Sequence, residues 1–563
     1  MDNLKFSRSG FKVSIFYLLL SSLVINLLAM AMPLMMLQTY DRILPNFGYG
    51  TLTMLIIGVV SAVILEVILK ILRSYLTSWS GSVFEHKTSC DAVEHILNSD
   101  ISKFENQGSG AYLQKIAAVG RLRSFYGGQS LITMVDLPFI PTFLILIYLI
   151  AGNLVIIPLA LFGLFCCVAL IVAWRLKKQV MEKDFSGKIR YNYIIETLTG
   201  IHTIKSLGLG QFFIRRHDRL MDRISASQLK VAITNNVAAN CGMLFSRIMT
   251  VAVVSFGAVK VINGEMGTGG LAACILLSGR IMQPVQRVFG LWTRFQSFFI
   301  DKKELKEVFD LPGAIYKDIK LLQKPGGTLQ FTDVCFHHGQ ENKLLLDRFN
   351  LTLTQGSSIA VEGHSGSGRS TLLNLIAGQL SPTSGTIKVD GTAPDQIEPS
   401  LLGRYIGYLA ENGTVFNGTI RENLTFFGSL SEEDIMPAVD RLGISDIVAQ
   451  LPDGYETELT DSTTDPIPPG IKQRITIARV LAFKPRIILF NNADRGLDKN
   501  GYNYLFKILG MLKSRTTMII VSDDRNILRL ADREYYLTDG ALSETFPEDS
   551  KKFSAFSFRE LQI

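Results

Sequence analysis

Gly363-His364-Ser365-Gly366-Ser367-Gly368-Arg369-Ser370-Thr371 is the stretch on which the reading of this chain turns. It follows the β-branched run Ser358-Ile359-Ala360-Val361-Glu362 and precedes Leu372-Leu373-Asn374-Leu375-Ile376-Ala377, which has helical spacing. In a strand–loop–helix setting, glycines let backbone N–H groups turn towards phosphate oxygens, and the helix N-terminus adds its positive dipole. Ser370 occupies the position that holds Mg²⁺ in such loops. A glycine-rich loop alone is a weak signal; the spacing and both flanking elements make this one specific. One residue departs from the pattern. Arg369 stands where a Lys is expected, and a planar guanidinium fork does not sit as a compact point charge between phosphates.

Outward from this loop the composition splits in two. The 563 residues are 47% hydrophobic and 19% charged, with a mean hydropathy of +0.25. Soluble proteins carry about 25% charged residues, and the apolar excess here is concentrated in residues 1–300. Apolar stretches of bilayer-spanning length fall at about 14–37, 52–72, 131–150, 154–174, 236–262 and 268–290. The first is too long for a signal-peptide core. The connections 73–130 and 175–230 are rich in Lys and Arg, whereas 38–51, 151–153 and 263–267 are nearly uncharged. The positive-inside rule therefore puts both long connections and both termini in the cytoplasm. Apolar positions at helical spacing within them (Tyr193, Ile194, Leu198, Ile201, Ile204) predict membrane helices that extend beyond the bilayer.

The net charge of +7 is accounted for by these loops, so no nucleic-acid partner is expected. Cys90, Cys166, Cys167, Cys241, Cys274 and Cys335 show neither metal spacing nor a disulfide framework. Glu66 lies inside the second span with Lys70 one turn away, which predicts an ion pair rather than a transport group. Pro138 and Pro141 at the start of the third span predict a kinked or broken helix.

Further motifs follow the loop in a set order: Ser384-Gly385-Thr386-Ile387, Ile406-Gly407-Tyr408-Leu409, Phe416-Asn417-Gly418-Thr419-Ile420-Arg421-Glu422-Asn423 and Gln473-Arg474-Ile475-Thr476-Ile477-Ala478-Arg479. Together they resemble an ABC ATPase domain. With the preceding spans, the whole chain resembles an ABC exporter half. Met32 to Asn46 and Val135-Asp136-Leu137-Pro138-Phe139 resemble the type I secretion transporters. The expected fold is an all-α six-helix transmembrane domain of the type I ABC exporter kind, followed by an α/β P-loop NTPase (ABC ATPase) domain. The expected divisions are 1–300, a linker at 301–326, and 327–563.

The resemblance also implies site residues. ATP would lie on Gly363, His364, Ser365, Gly366, Ser367, Gly368, Arg369, Ser370 and Thr371, with His338 at the adenine-stacking position. Mg²⁺ would be held by Ser370 and by Asn491, which replaces the Walker B Asp. Asn492 replaces the Glu that activates water, Asp523 replaces the switch His, and Glu411 replaces the Q-loop Gln. The signature reads Ile467-Pro468-Pro469-Gly470-Ile471, and the D-loop Asp survives as Asp498. Asn491 loses a charge that a hard cation favours, and Asn492 has no basicity near neutral pH. Pro468 offers neither hydroxyl nor N–H. Together these changes argue against ordinary hydrolysis.

The resemblance further implies a second ABC half as partner, an inner-membrane location, a periplasmic adaptor, an outer-membrane channel and a protein cargo. The chain begins almost directly with its first span, so leader-peptide processing is not expected. Two alternatives stay open at this point: export of a lipid or small molecule, and a catalytically silent regulatory or scaffold half within a heterodimer.

Overall fold

The structure, a computed structural model, describes residues 8–99, 101, 104, 109–313, 326–337, 344–460 and 465–544. The chain separates into two compact units, Met1–Ser99 with Lys103–Pro312, and Asp100–Ser102 with Gly313–Ile563.

The first unit is helical. Tyr49–Leu97, Ile156–Thr199, Gly210–Ile262 and Thr268–Phe309 run for 49, 44, 53 and 42 residues. At about 1.5 Å rise per residue these helices outrun a hydrocarbon core roughly 30 Å thick. The runs Phe16–Ile43, Tyr49–Leu97, Gly110–Thr199 and Gly210–Ile262 are long and apolar enough to cross a membrane. The third contains a 3₁₀ turn at Gly152–Val155 and so holds two of the expected apolar stretches. Thr268–Phe309 is not one of these four runs and packs inside. Its Cys274, Leu277, Ile281 and Met282 are buried with Phe143, Ile147, Phe165, Met249 and Val253.

The expected first span is not one helix. It breaks after Leu28 and resumes at Ala31–Gln38, followed by a π turn at Thr39–Ile43. The third is interrupted as its prolines predict, by a 3₁₀ turn at Leu137–Phe139 between Gln129–Asp136 and Ile140–Ala151. Lys70 Nζ lies 2.5 Å from the buried Glu66, with Arg280 at 3.8 Å, so the intramembrane carboxylate is paired. Arg73, also buried, donates to Asp136 at 2.8 Å and to Ser22 Oγ at 2.7 Å. Asp41 accepts from the N–H groups of Gly269 and Gly270 at 2.7 and 3.2 Å, filling donors that the start of the last long helix leaves open. A Cβ at Gly269 would lie 2.5 Å from Leu37 O, so this approach requires glycine.

The last helix continues through residue 301 to Phe309, nine residues into the segment expected as a linker. Ion pairs hold it there: Arg121 to Asp301 (2.6 Å) and Glu304 (2.9 Å), and Lys188 to Glu304 (2.5 Å). Leu305 and Val308 complete the contact, buried with Ala92, Tyr112, Val119 and Leu122.

The second unit is built on a six-stranded sheet. In chain order its strands are β3 (Ser358–Glu362), β5 (Ile406–Leu409), β8 (Ile487–Asn491), β9 (Thr517–Val521), β10 (Arg533–Thr538) and β11 (Ala541–Ser543). The spatial order is β11-β10-β3-β9-β8-β5, parallel from β10 to β5 and antiparallel only at β11. Four of the five residues of β3 and β8 and all five of β9 are buried, as parallel strands covered on both faces must be. A second, antiparallel sheet has the order β2-β1-β4, from β1 (Leu329–Phe336), β2 (Leu346–Leu353) and β4 (Ser384–Val389). A short ladder pairs β6 (Gly418–Thr419) with β7 (Glu458–Leu459). Two apolar cores flank the main sheet, one containing Val361, Leu372, Ile376, Leu489 and Ile519, the other Ile475, Ile488, Phe490, Leu505 and Ile520.

Candidate functional site

Strand order decides which loops meet. Because β5, β8, β9 and β3 are neighbours and parallel, their carboxyl ends open on one edge, where open α/β sheets bind ligands. Four segments arrive there: Glu411 after β5, Asn491 and Asn492 at the end of β8, Asp523 after β9, and the 363–371 loop after β3.

The glycine-rich loop is shaped for an anion. Gly366 and Gly368 have φ of 82° and 100°, and the helix Arg369–Ile376 starts directly behind them. A Cβ at Gly363 would stand 2.6 Å from Ser367 Oγ and 2.8 Å from Leu537 O. Ser367 Oγ is itself buried with no hydrogen-bond partner among the described residues. An unsatisfied hydroxyl beside glycines of this conformation fits a phosphate group. His364 packs edge-on against Tyr536, with ring centres 5.7 Å apart. Ser365 is exposed and Thr371 half-buried on the first helical turn. His338, expected to stack on adenine, lies outside the described residues.

The fit to Mg²⁺ is poorer. Ser370 Oγ lies 3.4 Å from Asn491 Oδ1, and Asn491 Nδ2 donates to Tyr408 OH at 3.0 Å. Ser370 therefore faces a neutral amide oxygen where a hard cation prefers a carboxylate. Asn492 is buried in the left-handed region (φ 47°), which asparagine tolerates. Its N–H donates to Val521 O at 2.8 Å, while its Oδ1 has no partner among the described residues.

Arg495 escaped the sequence reading. One of its guanidinium nitrogens donates to Glu411 at 2.7 Å and another contacts Asp523. Asp523 also receives Arg369, at 3.4 Å. A continuous chain, Arg369–Asp523–Arg495–Glu411, thus crosses the mouth of the loop. Hydrogen bonding to Glu411 and the charge of Asp523 push the Arg495 guanidinium pKa further up. The available signal was one of charge, since two unexpected carboxylates at 411 and 523 call for a cation between them. Nearby, burial raises the Glu362 carboxyl, which Arg525 approaches at 3.1 Å. Burial likewise raises Asp494, which accepts from Ser522 Oγ at 3.0 Å.

Pro468 precedes and Pro469 begins the helix Pro469–Ala482, the position where proline costs no hydrogen bond. A Cβ at Gly470 would lie 3.1 Å from Gly496 O, so the start of this helix packs on the 496–498 loop of the same chain. Asp498 pairs with the buried Arg474 and accepts from Gly501 N–H at 3.2 Å, capping the helix Lys499–Leu512. Burial opposes its charge, but these bonds outweigh burial and hold its carboxyl below the usual range.

A helical unit of membrane-spanning length followed by a P-loop sheet defines a membrane protein joined to a nucleotide-binding fold. Residues 15–285 match the family described as ABC transporter transmembrane region, and residues 346–494 match the family described as ABC transporter. The chain is an ABC transporter membrane domain fused to an ABC transporter ATPase domain, a multi-pass membrane protein. It is similar to the alpha-hemolysin translocation ATP-binding protein HlyB of Escherichia coli O157:H7, 28% identical over 95% of this chain and 76% of that protein. It is 27% identical to the exotoxin translocation ATP-binding protein PaxB of Pasteurella aerogenes, over 93% of this chain and 74% of that protein. The cyclolysin secretion/processing ATP-binding protein CyaB of Bordetella pertussis gives 27% identity, again over 93% and 74%.

Proposed function

We propose that this chain is one half of an inner-membrane exporter of the type I secretion kind, whose nucleotide site binds ATP or its product but turns ATP over poorly. Two halves pair in the membrane, with the nucleotide-binding units cytoplasmic. A periplasmic adaptor and an outer-membrane channel continue the route, and the cargo is a protein. The membrane reading rests on the helical unit; the cargo class rests on the likeness to toxin-translocating proteins over nearly the whole chain.

The observation that carries the reading of weak turnover is the end of β8. When bound, Mg²⁺ would neutralise developing phosphate charge, and Ser370 and Asn491 are the residues that would hold it. The backbone and glycines of 363–371 bind and orient the phosphates. Asn492 cannot accept the proton of an attacking water, and its buried Oδ1 leaves no base at that position. Positioning remains while activation of water is lost.

ATP turnover by the purified chain in lipid nanodiscs, measured beside nucleotide binding in the same preparation, tests this. Binding with turnover at least about a hundredfold below a Asn491→Asp, Asn492→Glu double variant is expected, the scale of a missing general base. Rapid turnover by the unaltered chain, abolished in Ser370→Ala, would sink the reading. A second, intact ABC half that co-purifies and restores turnover would instead assign this chain the silent role in a heterodimer.

A further inference from the structure

The ion chain across the mouth of the phosphate loop has a consequence for which nucleotide the site accepts. Asp523 is held by two cations at once, Arg369 at 3.4 Å and Arg495 in closer contact. Arg369 begins the helix behind the loop, where the resemblance puts the cation for the terminal phosphate. Its guanidinium is therefore already engaged by an anion of the same chain. Glu411 adds a second carboxylate, 2.7 Å from Arg495. The four side chains sum to zero charge, whereas a site built for a triphosphate presents uncompensated positive charge to it.

The ion chain is not explained as a stabilising device. Arg495 and Asp523 are each about half exposed (51% and 50%), and surface pairs of this kind add little to stability. The protein adds little to the hold on a metal here, because Ser370 faces the neutral Asn491 rather than a carboxylate. Gly363, Gly366, Ser367 and Gly368 contribute no side chain to these ion pairs, and the Ser367 hydroxyl has no partner among the described residues.

We propose that Asp523, clamped between Arg369 and Arg495, is an internal anion that stands in for the terminal phosphate, so that this site prefers a nucleoside diphosphate to a triphosphate. The inference rests on the nucleotide-binding reading above and deepens it. The diphosphate reaches the glycine loop without displacing the carboxylate. The triphosphate has to break the Arg369–Asp523 contact and then lies against Asp523 and Glu411.

Calorimetric titration of the full chain in nanodiscs with ADP and with ATP, each with Mg²⁺, tests the proposal. ADP is expected to bind about tenfold or more tightly, the scale of one uncompensated charge contact at a partly exposed site. Asp523→Asn is expected to close that gap by strengthening ATP binding while leaving ADP nearly unchanged. Arg495→Gln, which takes one cation from each carboxylate and leaves Asp523 to Arg369 alone, is expected to widen it. Equal or tighter binding of ATP by the unaltered chain overturns the proposal and leaves the nucleotide-binding reading intact. A gap that neither variant moves also overturns it, and absence of binding by either nucleotide overturns both.

Discussion

On the proposed function, Asn491 and Asn492 stand where the resemblance implies an acidic pair, with its shape and without its charge, and the two positions separate two functions. Asn491 bears on the metal: its oxygen still faces Ser370 at 3.4 Å, so a ligand position persists without the attraction that holds a divalent cation. Chelating Mg²⁺ with EDTA is therefore expected to change nucleotide affinity by less than about threefold, since a neutral amide contributes little to a hard-cation site. Titrations with and without chelator check this; a loss of tenfold or more would mean that the metal is held by other groups. Asn492 bears on the water, through the absence of a base. These positions were legible in the linear order of motifs. Arg495 was not, because its partners lie 84 and 28 residues away and only the adjacency of β5, β8 and β9 gathers them.

Among the helices, the two stretches that resemble the type I secretion transporters each supply a carboxylate that ties one element to another. Asp41 caps the last long helix through Gly269 and Gly270, and Asp136 holds Arg73 of the helix Tyr49–Leu97. Both partners of the second pair are largely buried, at 6% and 10% side-chain exposure, so breaking it leaves a charge without compensation. Asp136→Ala is expected to cost about 3–5 kcal/mol, and adding Arg73→Met to recover part of that loss. Thermal unfolding of the four proteins in one detergent reads the result, and an additive double variant would show that the two residues do not act as a pair. The proline pattern announced the break at Leu137–Phe139. The break after Leu28 has a local cause of the same kind, which the sequence reading passed over: Pro33 lacks the N–H that would bond Ala29 O, and its ring crowds that carbonyl.

Across the second unit, charge and burial set a common dependence on acid. Burial works against the ionised forms of Asp390, Asp465, Asp498, Asp524 and Asp532, yet hydrogen bonds and cations hold all five below their ordinary range. Asp390 is bonded by Tyr405 OH and by the N–H groups of Gly327 and Thr328, and Asp465 by Lys472. A carboxyl depressed in the folded state stabilises above its unfolded pKa, and that contribution is lost as pH falls through the folded value. Glu362 and Asp494, raised by burial, act the other way but are fewer. Unfolding of this unit is thus expected to be insensitive to these groups above about pH 5 and to become easier below about pH 4. Asp390→Asn is expected to flatten the acid limb in a melting series from pH 3 to 7. The same limb in variant and parent would remove Asp390 from the account.

Composition, loop charge and the glycine loop sufficed for two halves, one helical and apolar, the other an α/β nucleotide fold, because hydrophobic period and phosphate-loop spacing are local properties of the chain. The continuation of the last helix to Phe309 was decided by tertiary contacts, through ion pairs to Arg121 and Lys188 that no local pattern encodes. The electrostatic character of the nucleotide site was decided the same way. Four charged side chains, spread from Arg369 to Asp523, become one chain of ion pairs only when parallel strands bring their carboxyl ends together.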